Sequence, residues 1–179
     1  MKVIRKRRAR GVTDYRKRLT LLKGGLPRVI VRRSNRGIRM QVAEYEADGD
    51  KVLTTVNSSE LSKFGWMPKR NTPTAYLTGV LLAKKAKDLK SKEFVLDIGL
   101  YRPSKASILF AAAKGAIDAG MGIRGNIDFD QKRIFGHHIS DYSKKLGSDS
   151  VVFSTYRKNN FDVGSMEALV NKVKEAITK

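Results

Sequence analysis

Few residues in this chain have the type and spacing for covalent or metal chemistry. Asp97 lies in a run of apolar residues, and Asp128 and Asp130 precede the pair His137-His138. These are the ligand-like groups, and adjacent histidines in a strand would point opposite ways, so no metal site is expected. No Gly-rich loop runs into Lys-Ser/Thr, and no Ser sits in a nucleophile motif. There is no cysteine, which excludes disulfides and thiolate ligands. The chemistry on offer is that of guanidinium groups. Residues 1–36 hold 14 Lys/Arg and one acid, Asp14, so 13 of the 20 net positive charges fall in the first fifth of the chain. Arginine outnumbers lysine there, which favours bidentate phosphate contacts and stacking over simple charge neutralisation.

The elements that must position these cations begin at Arg28. Alternation of apolar and polar residues over Arg28–Ser34, Ile38–Tyr45 and Lys51–Val56, broken at Asn35-Arg36-Gly37 and Asp48-Gly49, predicts a three-stranded antiparallel meander. With Asn35 and Arg36 as a two-residue turn, Val29 and Val31 face Val42 and Met40 on a core side. Arg28, Ile30 and Arg32 then face Ala43, Gln41 and Arg39 on a basic plate. Arg32 would stand opposite Arg39, an arrangement that costs roughly 0.2 to 1 kcal/mol and makes sense if an anion lies across it. The alternatives are a shifted register or arginines splayed into water.

Ahead of the meander, Lys2 to Arg10 has almost nothing apolar to bury and is expected to be disordered when alone. Thr13 is expected to cap a short helix with Tyr15, Leu19 and Leu22 on one stripe, Arg16 and Arg18 turned away, and Gly24-Gly25 as its stop. Such a tail serves either as a solubilising segment or as one that folds on RNA. Behind the meander, residues 57–70 read as a polar loop holding Phe64-Gly-Trp66. Trp66 either caps a core or stacks on a base. A helix is predicted from Thr72-Pro73 to about Leu89, with Thr72 as N-cap and with Lys84, Lys85, Lys87 and Lys90 near its C-terminal end, where the helix dipole favours cations. Glu93–Ile98 suits a strand covered on both faces. A second helix, capped by Ser104 and closed by Gly120, places Ile108, Leu109, Ala112, Ala116 and Ile117 inward, and Ala111-Ala112-Ala113 implies close packing.

In the last fifty residues, Ile139–Leu146 is expected to be helical, Val151–Tyr156 to be a short β or extended segment, and Met166–Ile177 to be an amphipathic helix. The fold class is therefore α/β: a three-stranded antiparallel meander followed by helix, strand and helix in a layered mixed sheet, with a basic N-terminal arm and a helical C-terminal extension. The divisions are residues 1–26 for the arm, 27–124 for the core domain, and 125–179 for an extension that packs on the core or on neighbours. No apolar run approaches the length of a membrane span and no signal peptide is visible, so a soluble cytoplasmic protein is expected. A net charge of +20 calls for a polyanionic partner.

The order of elements resembles the ribonuclease H-type fold, whose nucleases hold two metals on carboxylates of the first strand, first helix and fourth strand. Here the first strand carries Val and Arg, and Asp97 lacks partners, so an enzyme on that scaffold is the disfavoured alternative. A second resemblance is more specific. Thr13-Asp-Tyr-Arg-Lys-Arg-Leu19, Pro27-Arg-Val-Ile-Val-Arg-Arg-Ser-Asn35, Asn71-Thr-Pro-Thr-Ala-Tyr-Leu-Thr-Gly79, Leu96-Asp-Ile-Gly-Leu-Tyr101 and Arg133-Ile-Phe-Gly-His-His-Ile139 look like the large-subunit ribosomal protein L eighteen family in its archaeal form. The likeness covers nearly the whole chain, departing at Gly37, where some relatives are bulkier, and matching least beyond Gly147. It implies a non-enzymatic constituent of the large ribosomal subunit that binds 5S rRNA, helps attach it to 23S rRNA in the central protuberance, and touches neighbouring large-subunit proteins. It implies no cofactor, no small-molecule substrate and no membrane. RNA contacts would fall on the arm, through Arg7, Arg8, Arg10, Tyr15, Arg16 and Arg18, and on the hairpin, through Arg32, Arg33, Ser34 and Asn35. The plate and its turn add Arg28, Arg36 and Arg39.

Overall fold

A computed structural model describes residues 6–146 and 151–179; the expectations for Lys2 to Arg5 lie outside the described residues. A short helical turn, α1 (Lys6–Ala9), leads to α2 (Tyr15–Leu22). The N-cap is Asp14 and not Thr13: its Oδ1 accepts the amides of Arg16 and Lys17 at 3.0 and 3.2 Å, and a carboxylate suits the positive end of the helix. The meander follows as β1 (Arg28–Arg33), β2 (Ile38–Glu44) and β3 (Lys51–Asn57). Its register is the one expected, with Val29 opposite Val42, Val31 opposite Met40 and Arg32 opposite Arg39.

Residues 58–64 form a turn of 3₁₀ helix where a loop was expected. Then come α3 (Thr72–Lys85), β4 (Glu93–Asp97), α4 (Ile108–Asp118) and a short fifth strand, β5 (Gly122–Arg124), which three residues of pattern did not reveal. Sheet order is β3-β2-β1-β4-β5, antiparallel through the meander and parallel from β1 to β4 to β5. Asn71, not Thr72, caps α3 by accepting the amide of Thr74 at 2.9 Å, which leaves Pro73 in the first turn, where its missing N–H costs nothing. Ser107 rather than Ser104 occupies the N-cap position of α4.

Helix α3 is the centre of the molecule. Every residue from Thr72 to Ala83 is buried, so over that span the helix has no solvent stripe, where the pattern points to one broad buried face of Tyr76, Leu77, Val80, Leu81 and Ala83. It lies against the core face of the sheet and against α4. The two helices meet at glycines: a methyl group on Gly79 would run into the carbonyl oxygen of Ala112, and one on Gly115 into that of Tyr76. Close packing was expected from the alanine row, which is indeed fully buried, but the closest approach belongs to the glycines.

The C-terminal elements are α5 (Gln131–Ile134), α6 (His137–Leu146), α7 (Ser154–Lys158) and α8 (Met166–Thr178). Val151–Tyr156 is helical, a 3₁₀ turn running into α7, and not a β segment. Its aromatic rings join a cluster in which Phe153 meets Tyr142 and Tyr156 meets Phe161. Met166, Val170, Val173 and Ile177 put α8 into the same apolar core as the sheet and α3. Trp66 is only 2% exposed, donates Nε1–H to Thr74 Oγ1 at 2.9 Å and meets Phe161 edge to face. Its indole is a core cap and has no free face for a base. Among the described residues no helix is long and apolar enough to cross a membrane.

Candidate nucleic-acid interface

The sheet face turned away from α3 carries the cations, but not as an open plate. Arg28 lies only 2% exposed. Its Nη1 donates to Asp97 Oδ2 at 2.9 Å, and its Nη2 meets Asp50 Oδ2 at 2.6 Å. The reason is the parallel pairing of β1 with β4, which seats Asp97 opposite Ile30, between Arg28 and Arg32 on the same side of the sheet. Desolvating a guanidinium is unfavourable unless carboxylates surround it, and two do. Arg28 was expected among the RNA contacts; this geometry leaves it no surface to offer.

Arg32 is likewise held. Its Nη1 donates to the Asp97 carbonyl at 2.8 Å and its Nη2 to Asp97 Oδ1 at 3.0 Å, while its side chain stays 40% exposed. The expectation of two unshielded arginines facing one another is thus corrected. Arg32 turns to β4, and Arg39 turns the other way, donating Nε–H to Asn57 Oδ1 on β3 at 2.9 Å. Gly99, at φ +64°, lets the Arg32 fork lie over the backbone, since a side chain there would press on Cζ. Two residues on, Tyr101 carries the Arg33 guanidinium over its ring at 4.9 Å and donates its hydroxyl to the Arg33 carbonyl at 3.2 Å. The segment Asp97-Ile-Gly-Leu-Tyr101 is therefore a bracket that holds Arg28, Arg32 and Arg33. Alternation along the strands could not have shown this, because the bracket reaches them across the sheet.

The hairpin tip is built as a two-residue turn. Ser34 N–H donates to the Gly37 carbonyl at 2.8 Å, and Gly37 N–H donates to Ser34 Oγ at 3.1 Å. Asn35 and Arg36 project into solvent. A methyl on Gly37 would displace Ser58 Oγ, which also accepts Ile38 N–H at 3.1 Å. Among the described residues, Arg33, Arg36 and Arg39 are exposed and paired with no carboxylate. They are cations presented on a rigid hairpin.

On the arm, Arg7, Arg8, Arg10 and Arg16 are exposed, with Arg7 Nε–H donating to Thr13 Oγ1 at 2.9 Å, and Tyr15 is half-buried. Arg18 departs from expectation. It lies on the inward side of α2 and grips both oxygens of Asp50 at 2.8 and 2.9 Å, whereas Leu19 is 59% exposed. An arginine reaching the carboxylate of the β2–β3 turn outweighs a leucine that stays exposed.

The groups weighed for metal chemistry are scattered. Asp97 Oδ1 accepts from Arg32 and from Gly99 N–H at 2.8 Å, and Oδ2 accepts from Arg28. Asp130 caps α5 through Lys132 N–H, and His137 pairs with Glu167. Among the described residues no three such groups converge on a cation site.

A family model described as "Ribosomal large subunit proteins 60S L5, and 50S L18" matches residues 1–94. The chain is 42% identical over 183 residues to large ribosomal subunit protein uL18 of Korarchaeum cryptofilum, covering 99% of this chain and 94% of that protein. It is 44% identical over 148 residues to uL18 of Haloarcula marismortui, covering 81% and 79%. With uL18 of Thermofilum pendens it shares 41% over 180 residues, covering 96% and 92%.

Proposed function

The chain belongs to the uL18 family of large-ribosomal-subunit proteins, and from that premise we propose that it binds 5S rRNA and helps attach it to 23S rRNA in the central protuberance, as a structural constituent and not as an enzyme. One observation supports this most: two carboxylates, Asp50 and Asp97, are turned onto Arg18, Arg28 and Arg32, while among the described residues Arg33, Arg36 and Arg39 stand exposed without acidic partners. A face that spends its acids on holding its own framework leaves a surplus of forks for phosphates and base edges. The RNA-contacting set is Arg7, Arg8, Arg10, Tyr15, Arg16, Arg33, Ser34, Asn35, Arg36 and Arg39, with the open edge of Arg32. Neighbouring large-subunit proteins complete the set of partners.

The test is binding of the full chain to 5S rRNA across a salt series, beside an unrelated structured RNA of equal length. Preference for 5S rRNA is expected, with a log-log salt slope that falls by about 0.7 to 0.9 for each phosphate contact removed. Deleting residues 1–12 takes away Arg7, Arg8 and Arg10 and should flatten the slope by several contacts while leaving the fold intact. Equal binding to both RNAs, or a slope untouched by the deletion, overturns the reading.

A further inference from the structure

An acid beside an RNA-binding face calls for a reason, because in a chain of net charge +20 it opposes the partner's phosphates. Asp50 is such an acid. Its carboxylate is shared between two arginines of different standing: Arg28, buried in the sheet, at 2.6 Å, and Arg18, on α2 and 32% exposed, at 2.8 Å. Arg28 is held from two sides, Asp97 accepting from its Nη1 at 2.9 Å and Asp50 meeting its Nη2. Helix α2 depends on Asp50 as well. None of the eight residues of α2 is buried, its leucines stand outside the apolar cluster, and it joins β1 through Gly24-Gly25, with Gly25 at φ +63°. A helix on a diglycine joint with no fully buried residue takes direction from its polar ties.

Resting on the 5S rRNA reading above, we propose that Asp50 is a positioning residue of the RNA interface. It transmits the fixed place of Arg28 to Arg18 and so sets α2 against the sheet, with Arg16 and Lys17 outward beside the sheet's own cations. The ion chain Arg18–Asp50–Arg28–Asp97–Arg32 then runs from the arm helix to β1 and lets arm and hairpin meet one RNA as a single rigid surface. Preorganisation raises affinity by removing the ordering that binding would otherwise have to supply. The consequence has the opposite sign to simple electrostatics: removing this negative charge weakens RNA binding.

The experiment compares Asp50→Asn with Asp48→Asn, an exposed acid in the same β2–β3 turn, for binding of the full chain to 5S rRNA at moderate salt. Asp48→Asn should bind as tightly as wild type or slightly tighter, and Asp50→Asn about tenfold more weakly. Amide hydrogen exchange on the free proteins gives the second readout. Asp50→Asn should lose protection in α2 while β1 and β2 keep theirs. Should Asp50→Asn disturb the sheet by exposing Arg28, Arg18→Gln cuts the arm side alone. It should deprotect α2, whereas Arg16→Gln, which removes the same charge from the outer side of the same helix, should leave α2 protected. The proposal is overturned if Asp50→Asn binds as well as Asp48→Asn, or if α2 exchange is the same in Arg18→Gln and Arg16→Gln. A wild-type chain with no preference for 5S rRNA would instead sink the functional reading, and the exchange comparison would still report whether Asp50 holds α2.

Discussion

The two faces of the central sheet are assembled by opposite means. Behind it, α3 and α4 approach until backbone touches backbone, and what makes this possible is the absence of side chains at Gly79 and Gly115. In front of it, order comes from added charge, with five ionised side chains from four segments linked edge to edge. Close packing at backbone contact is unforgiving of volume. A chain of ion pairs tolerates small changes of shape and depends on every partner being present. A molecule built this way has a rigid back on which a polar front can be held in register.

The largest effect should come from breaking the back. Gly115→Val places branched methyls where the Tyr76 carbonyl lies, and separating two buried helices should destabilise the fold by on the order of 3 kcal/mol or more. Denaturant unfolding would measure it, and Gly120→Ala, with open space around it but a positive φ of 95°, should cost only about 1 kcal/mol. A Gly115→Val protein of wild-type stability would mean that the helices can part, and the contrast between the faces would fail.

Breaking the front comes next. Asp97→Asn keeps the shape of the side chain but removes the charge between Arg28 and Arg32, and a charged hydrogen bond is worth roughly 1.5 to 3 kcal/mol. The loss should be of that size, with the α3–α4 layer's amides retaining their exchange protection relative to the sheet. Loss of stability spread evenly over both faces would show that the two are one cooperative unit in which the distinction has no energetic meaning.

How much of this was legible from residues alone follows the same division. The meander, its register and the amphipathic Met166–Ile177 helix declared themselves because period-2 and period-3.6 patterns report which face is covered. Helix α3 was found by Thr72-Pro73 and one broad apolar face, though not its full burial, because the threonines and glycine of its other side do not declare themselves as buried. Helix caps shifted by one to three positions where a neighbouring Asp, Asn or Ser competed for the same role. The front face was read as a row of like charges because the partners of Arg18, Arg28, Arg32 and Arg33 lie in Asp50, Asp97 and Tyr101, up to 69 residues away. Charge balance across a parallel strand pair requires knowing which strands are neighbours. The signal that could have found it was present: an Asp inside an apolar strand must be paired, and arginines were the available partners.

The smallest effect lies where the two styles meet. Glu60, in the 3₁₀ turn after β3, accepts the Asn57 amide at 2.9 Å and the Lys85 ammonium of α3 at 2.6 Å. Burial pushes its carboxyl up. The hydrogen bond from Lys85, that from Asn57, and the charges of Lys85 and Lys63 together outweigh burial and hold it below the ordinary carboxylate value of 4.5. The folded state therefore binds the proton more weakly than the unfolded chain does. The contribution of Glu60 is present above pH 4.5 and lost as pH falls through its lowered folded-state value. The pair is partly exposed, with 40% of the Lys85 side chain and 27% of that of Glu60 accessible, so screening should keep the effect of the ion pair under about 1 kcal/mol. Glu60→Gln should be less stable than wild type at neutral pH by that small amount, and the gap should narrow as acid is added, until the two unfolding curves converge below the folded-state value. High salt should narrow the gap too, but leave the penalty of Gly115→Val unchanged. If the gap instead widens in acid or ignores salt, Glu60 acts through packing, and the boundary between the dry back and the charged front lies further toward β3 than its hydrogen bonds suggest.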